Sequence, residues 1–500
     1  MRTTRRPLEP EVRPKAGRQP EGQIEAEWAR SSIAEPSPHD TDTARRPRRS
    51  ISARVPALLA LVTSLGAVAA MTTSCSSSDD EAREPLPSDT DAGADAASEA
   101  AREDVVDAGI ADVVAVDSAP LAIECKEPPC AIALTTTLAA PSSLEEGYCA
   151  LLDDGTVTCW GANAEGQLGS PETIGNSPIP VRVSGLSKIT QLDHSCAVDS
   201  DGSAFCWGRG PFLQSEASAT TAETAPVRLP LPGPATKVTV TTANNYVGCA
   251  LLRDRSVVCW GSNLGQQLGD GTSTSGGFNH PPRTIEAASG AKDIALANAA
   301  FVIDDNGTLK SWGAAIGAGR PISLHFDGWP TKVALDHVSM IDTVGAEACA
   351  VANGIGWCWG ARDGLPDFKA DQYIRALPAA VDTPEPITRI ATSQSQVVSE
   401  SSISYLHKRR WCATSVTGAV YCWGHNNAGQ AGDGTKEFAL EPVQVAGLPA
   451  PAAEVKVMPY STCAILTTGK VHCWGSNSYG QLGAGLPRGT ALQPVEVKLP

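Results

Sequence analysis

The stretch Cys463-Ala-Ile-Leu-Thr-Thr-Gly-Lys-Val-His-Cys473-Trp-Gly-Ser-Asn-Ser-Tyr-Gly-Gln-Leu-Gly483 places two short apolar runs around a Thr-Thr-Gly turn and follows them with a Gly-rich tail. Its Trp-Gly pair recurs at Trp160, Trp207, Trp260, Trp312, Trp359, Trp423 and Trp474, at spacings of 47, 53, 52, 47, 64 and 51 residues. Seven copies of a strand-and-turn unit with a period of about fifty residues predict an all-β, seven-bladed propeller rather than a string of separate domains.

Each copy starts with a hairpin. Thr467-Thr468-Gly469 is a three-residue loop with Gly at its left-handed position; Gly155, Gly202, Gly307 and Gly418 take the same place, and Arg255 replaces Gly in the third copy. A loop centred on residue 468 sets Cys463 opposite Cys473, within bonding reach. The same arithmetic pairs Cys149 with Cys159, Cys196 with Cys206, Cys249 with Cys259, and Cys412 with Cys422. In the fifth copy Cys349 and Cys358 are nine apart instead of ten, but the turn there is Asn353-Gly354, a two-residue loop that again brings them face to face. The fourth copy has Phe301 and Ser311 instead, so both cysteines are lost together. Unbonded cysteines would serve as small core residues; paired loss favours bonds. Cys125-Lys-Glu-Pro-Pro-Cys130 encloses four residues and suits a small disulfide loop pinning the start of the propeller, with no further metal ligand beside it in sequence.

Upstream, residues 1–54 are Pro-, Arg- and Glu-rich without apolar periodicity. They read as a disordered or over-long extension that ends in the basic run Arg45-Arg46-Pro47-Arg48-Arg49. Residues 55–75 form an apolar run closing on Thr72-Thr73-Ser74-Cys75, a signal-peptide pattern. It resembles a bacterial lipoprotein signal, which implies lipidation of Cys75 and attachment to a membrane through that lipid alone. Residues 76–130 carry 3 basic and 15 acidic groups and read as a disordered tether. Export agrees with the disulfides, which need an oxidising compartment. The expected location is the cell envelope, on a membrane surface or outside the cell. With a net charge of −16, the chain offers no basic body for nucleic acid.

Pro-x-x-Val strands lie between the hairpins, at Pro178–Val183, Pro226–Leu229, Pro442–Val445 and Pro494–Lys498. No hairpin follows the last of these, and no such strand precedes the hairpin at Cys149. The expectation is that the C-terminal strand joins the first blade and closes the ring.

The pattern Cys-Ala-x-x-x-x-Gly-x-Val-x-Cys-Trp-Gly followed by Asn-x-x-Gly-Gln-Leu-Gly resembles the regulator of chromosome condensation repeat family. That resemblance covers residues 131–500 and implies a seven-bladed β-propeller. The tail is intact at Gly166–Gly169 and Gly480–Gly483, altered at Gln266–Gly269 and Gly429–Gly432, and missing from the other copies. Members of the family bind proteins through one face of the disc. A light receptor would need a cluster of extra tryptophans, and beyond the seven anchors only Trp329, Trp357 and Trp411 lie in the repeats.

The eight histidines are scattered, with no His-Glu-x-x-His, no zinc-type cysteine pairs and no Gly-x-Ser-x-Gly elbow, so no catalytic residue, metal or cofactor is expected. The best guide to a site is asymmetry. The gap of 64 residues ends in Tyr405-Leu-His-Lys-Arg-Arg-Trp411, and Arg410 corresponds by position to His194 and Glu347 in other copies. His194, Glu347, Arg409, Arg410 and Trp411 are therefore the candidate binding face, with Phe326 and Trp329 on a second irregular loop. The leading expectation is a monomeric, non-catalytic module for an unidentified protein partner. Carbohydrate or cell-wall binding is the first alternative. An envelope lyase or hydrolase using carboxylates that converge at the propeller face is the second.

Overall fold

The computed structural model describes residues 119–137, 145–214, 220–241, 246–273, 279–314, 317–321, 326–360, 375–393, 396–400, 403–407 and 410–500. The signal segment, Cys75, most of the tether and Arg409 lie outside the described residues. Among the described residues no helix is long and apolar enough to cross a membrane.

Seven four-stranded antiparallel sheets form the blades of the propeller, six of them built from consecutive strands. The first blade runs from Ala131–Thr136 through Gly147–Leu152 and Val157–Gly161 to Ser177–Arg182. The seventh runs from Ala452–Val457 through Ser461–Leu466 and Val471–Ser476 to Thr490–Glu496. The sixth carries an extra hairpin, Gln396–Glu400 with Ile403–His407, between its first two strands.

The predicted hairpins sit at the centre of each blade. Six of them place the cysteines as direct cross-strand partners, bonded at Cα separations of 4.0 to 4.1 Å. Cys125 and Cys130 are bonded as well. In the fourth blade Phe301 faces Ser311 in that place, and Phe301 meets Trp359 of the next blade edge-on, with ring centroids 6.0 Å apart. Arg255 takes the left-handed turn position with φ 68°, and its guanidinium holds the turn by donating to Asp305 at 2.7 Å and to the Ala291 carbonyl at 3.3 Å.

The geometry explains the Trp-Gly pair. In every blade the outer strand bulges opposite the Trp, with two extra residues in six blades and one in the third. The following Gly turns there; Gly161 has φ 105°, and a Cβ on it would lie 2.4 Å from the Glu146 carbonyl oxygen. The indole then reaches the neighbouring blade. Trp207 Nε1 donates to the Gln167 carbonyl at 2.9 Å, Trp312 to Gln267 at 2.7 Å and Trp474 to Gln430 at 2.9 Å. The Gln of the Gly-Gln-Leu-Gly tail thus supplies the acceptor for the next blade. Blades without that tail substitute other carbonyls, Pro211 for Trp260 at 2.6 Å and Gly317 for Trp359 at 2.7 Å. The Asn that opens the tail holds its shape: the Asn477 Oδ1 accepts from the Leu482 N–H at 3.1 Å, as Asn163 does from Leu168 at 3.0 Å.

Closure differs from the sequence expectation. The C-terminal strand pairs with the third strand of its own seventh blade, and the first blade's inner strand is Ala131–Thr136. Pro-x-x-Val strands are outer strands that follow their own hairpins, so every blade begins with the strand before its hairpin. The ring closes by blade packing. Tyr148 and Trp160 share a cluster with Ile465, Leu482 and Val497, and Trp160 Nε1 donates to the Gln481 carbonyl at 3.0 Å.

Strand alternation gives the disc two unlike faces. The hairpin turns lie on one, here the turn face. The connections from first to second and from third to fourth strands lie on the other, here the loop face. The chain enters on the turn face, where the Glu124 N–H donates to the Thr467 carbonyl at 2.7 Å and the Ala131 N–H to the Gly469 carbonyl at 2.9 Å.

Candidate functional site

The inner strands surround a central cavity of about 340 Å³ that opens toward the loop face. Its lining follows from register. The inner-strand residues opposite the disulfide positions are Thr135, Asp193, Thr239, Ala295, Asp342, Ala391 and Lys456. Two residues earlier in register stand Ala133, Gln191, Lys237, Asp293, Met340, Arg389 and Glu454, of which Ala133, Gln191, Lys237 and Glu454 line the cavity. Thr137, Thr241 and Ser393 stand nearer the loop-face mouth.

The charges in these layers are coupled. Lys237 pairs with Asp293 at 2.8 Å; Lys456 pairs with Glu454 at 3.1 Å and lies 3.9 Å from Asp342. His194 Nε2 is 3.8 Å from Asp193. The side chains of these pairs keep between 21% and 33% of their surface open, so they line a wet channel rather than a dry core. Burial pushes the Asp342 carboxyl up from its ordinary value, against the pull of Lys456 and of the Thr392 N–H it accepts at 2.8 Å. Burial works against the charged forms of Lys237 and Lys456, but the surrounding carboxylates outweigh it and hold both above the usual lysine range.

His194 lies at this mouth. Its φ is 49°, its N–H donates to Thr135 Oγ1 at 2.8 Å, and its Nδ1 is 3.2 Å from Thr136 Oγ1. The other members of the expected face are elsewhere. Glu347 is 2% exposed and Arg410 is 1% exposed, which corrects their placement on an accessible surface. The reason lies in register: these positions stand opposite the glycine of Trp-Gly, where side chains enter the seam between blades. Arg410 donates to the Met458 and Ser461 carbonyls at 2.9 Å each, and also to the Gln430 carbonyl and Thr462 Oγ1, bracing the sixth blade against the seventh. Burial pulls its guanidinium down to about 10, opposed by Tyr148 and Glu146. Trp411 is half-buried and stacks on Trp423, with centroids 5.9 Å apart and an interplanar angle of 20°.

Next to Arg410 lies a latch between the first and last blades. Glu146 Oε1 accepts from the Tyr460 N–H at 2.6 Å, and Oε2 accepts from Ser461 Oγ at 2.6 Å and Gln481 Nε2 at 3.3 Å. Burial raises the Glu146 carboxyl above its ordinary value, opposed by these hydrogen bonds and by Arg410.

Elsewhere, Trp329 is 59% exposed and rests on Gly271, where a Cβ would come within 2.5 Å of the indole. Cys125, Cys130 and Asp153 bring three ligand-type atoms within 4.8 Å, but both sulfurs are tied up in a disulfide. Sequence reasoning missed the channel charges because the first connection of each blade varies in length. Lys456 precedes its Trp by 18 residues and Asp193 by only 14. A charged residue inside the strand before the hairpin, as at Lys237, Asp342, Arg389 and Lys456, was the available signal.

The regulator of chromosome condensation (RCC1) repeat matches residues 154–198 and 417–465, and a second description of the same repeat matches 192–214 and 459–481. The Arabidopsis thaliana ultraviolet-B receptor UVR8 is 25% identical over 363 residues, covering 67% of this chain and 76% of the receptor. The Mus musculus E3 ubiquitin-protein ligase HERC2 is 26% identical over 353 residues, covering 66% of this chain but only 7% of that protein's length. Among solved structures, yeast RCC1 (Prp20) bound to Kap60 aligns with a TM-score of 0.54 at 16% identity, covering 73% of this chain and 87% of that one. Human WBSCR16 aligns with a TM-score of 0.55 at 18% identity, covering 69% and 94%. Together with seven blades stitched by Trp-Gly and Gly-Gln-Leu-Gly, the repeat matches show that the chain carries regulator of chromosome condensation (RCC1) repeats, and the solved structures share its fold.

Proposed function

We propose that this protein is an exported, non-catalytic propeller that presents its loop face to a protein partner, held at a membrane surface by lipidated Cys75 and the acidic tether of residues 76–130. The observation that carries the reading is the polarity of the disc. The chain enters on the turn face, beside Thr467 and Gly469, so the entering segment leaves the loop face and its channel mouth uncovered. Seven disulfides favour an oxidising compartment. The yeast relative solved with Kap60 lends support, since it is a propeller of this family with a protein partner. A rigid ring carrying variable loops suits recognition.

Crosslinking and capture from native envelopes with the full-length protein tests this reading. One dominant partner, lost when the loop face is blocked, is the expected result; failure to enrich any protein would overturn it. Cys75→Ala should move the protein from the membrane fraction to the soluble fraction, and unchanged membrane association would remove the lipid anchor.

Carbohydrate binding remains a second reading because of Trp329, an indole supported on one side by Gly271 and open on the other. Retention on cell-wall polysaccharide without any protein partner would favour it.

A further inference from the structure

The charges around the channel do not balance. In the layer one step in from the mouth, Asp193 and Asp342 face a single Lys456. In the layer beneath it, Asp293 is paired with Lys237 at 2.8 Å, Glu454 is paired with Lys456 at 3.1 Å, and Arg389 is the remaining cation by register. The two layers thus hold four carboxylates and three permanent cations, a deficit of one positive charge. Lys456 does not cancel it, because its closer contact is with Glu454, at 3.1 Å against 3.9 Å to Asp342. His194, 3.8 Å from Asp193, adds charge only when protonated. Of the two acids nearer the mouth, Glu145 accepts from Gln167 Nε2 at 3.1 Å and Glu146 is committed to the blade latch.

A second observation concerns Thr392, a channel-lining residue only 4% exposed. Its N–H is already given to Asp342 Oδ2, and its hydroxyl has no hydrogen-bond partner. A buried hydroxyl without a partner is costly unless something supplies one. Asp193 and Asp342 come from the second and fifth blades, on opposite sides of the ring, with the Thr392 N–H on the second of them. Beyond them toward the mouth are threonine and serine side chains, and Leu192, Ile341 and Val457 add apolar wall.

We propose that the channel binds one primary ammonium group, entering from the loop face and held between Asp193 and Asp342. A monovalent cation restores neutrality, and the mixed apolar and hydroxyl wall accommodates an alkyl stem. A divalent metal fits less well, since Cys125, Cys130 and Asp153 on the turn face are the only described residues whose ligand-type atoms converge in threes. The ammonium is either a lysine side chain of the bound protein or a free alkylamine. In the first case the site rests on the loop-face reading above and names the partner's anchoring residue.

The test is calorimetric titration of the full-length protein at low salt with n-butylamine and with a capped tripeptide containing one lysine. The neutral controls are N-butylacetamide and the same peptide with acetylated lysine. Saturable binding of the amines and none of the neutral controls is expected, with affinity falling about tenfold or more in Asp193→Asn and Asp342→Asn. If Asp342→Asn fails to fold, Asp193→Asn decides alone. Tighter binding of the peptide identifies a protein lysine as the ligand, and tighter binding of n-butylamine a free amine. Absence of saturable binding, or equal affinity in Asp193→Asn, overturns the site. Partner capture that persists undiminished in Asp193→Asn overturns the lysine-anchor form and leaves the loop-face reading standing.

Discussion

Trp160 and Gln481, 321 residues apart, are joined by one hydrogen bond of 3.0 Å from the indole Nε1 to the backbone carbonyl. The same bond joins Trp207 to Gln167 within the body of the ring, so the closing seam is built like the others. Gly483 makes this possible by having no side chain; a Cβ there would lie 2.9 Å from the Trp160 ring. Gly483→Ala is therefore expected to lower stability by about 1–3 kcal/mol, through both the clash and the positive φ of 64°. Chemical denaturation measures it, and an unchanged midpoint would count against this seam.

Arg410 is a strut, so its loss should register as stability and not as recognition. Arg410→Ala removes a buried donor from the Met458, Ser461 and Gln430 carbonyls, of which Gln430 keeps the Trp474 indole and Ser461 keeps the Met458 N–H, and is expected to cost about 1–3 kcal/mol. The fraction that remains folded should capture partner as the wild type does. Lost capture by a fully stable variant would return Arg410 to the binding surface.

Glu146 predicts a pH dependence of definite sign. Its folded carboxyl is raised above the ordinary value of 4.5, so the native state binds the proton more readily than the unfolded chain. Stability from this group is greatest below the unfolded value and falls as pH rises through the folded one. Glu146→Gln should flatten that slope, so the difference in melting temperature should shift toward the variant between about pH 4.5 and neutrality. Parallel pH profiles for the two proteins would contradict this.

Removing one bridge, with Cys149→Ser and Cys159→Ser together, should cost on the order of 2.7 kcal/mol in the chain-entropy view. Mass spectrometry after alkylation of the denatured, unreduced protein should find no free thiol among the fourteen bonded cysteines. Substantial labelling would refute the bridges.

Trp329→Ala should change stability by less than about 0.5 kcal/mol, because the ring is mostly exposed. If the protein is retained on polysaccharide material, this variant should release it; retention of the variant would remove the aromatic platform as its cause.

The amino-acid sequence by itself determined the seven blades, their hairpins and the cysteine pairs, because these depend on short separations. Ten residues around a three-residue turn leave one register, and the shortened fifth copy keeps it by changing its turn to Asn353-Gly354. Tertiary structure decided the rest. Which strand closes the ring depended on recognising Ala131–Thr136 as an inner strand, and that segment carries no Trp-Gly or Pro-x-x-Val mark. Arg410 and His194 share a position in the repeat, yet one is sealed between blades and the other opens onto the channel, since the left-handed turn at His194 swings it inward. Asp193, Asp342 and Lys456 meet only because seven inner strands converge on one axis, and first connections of unequal length hide that convergence from any fixed spacing along the chain.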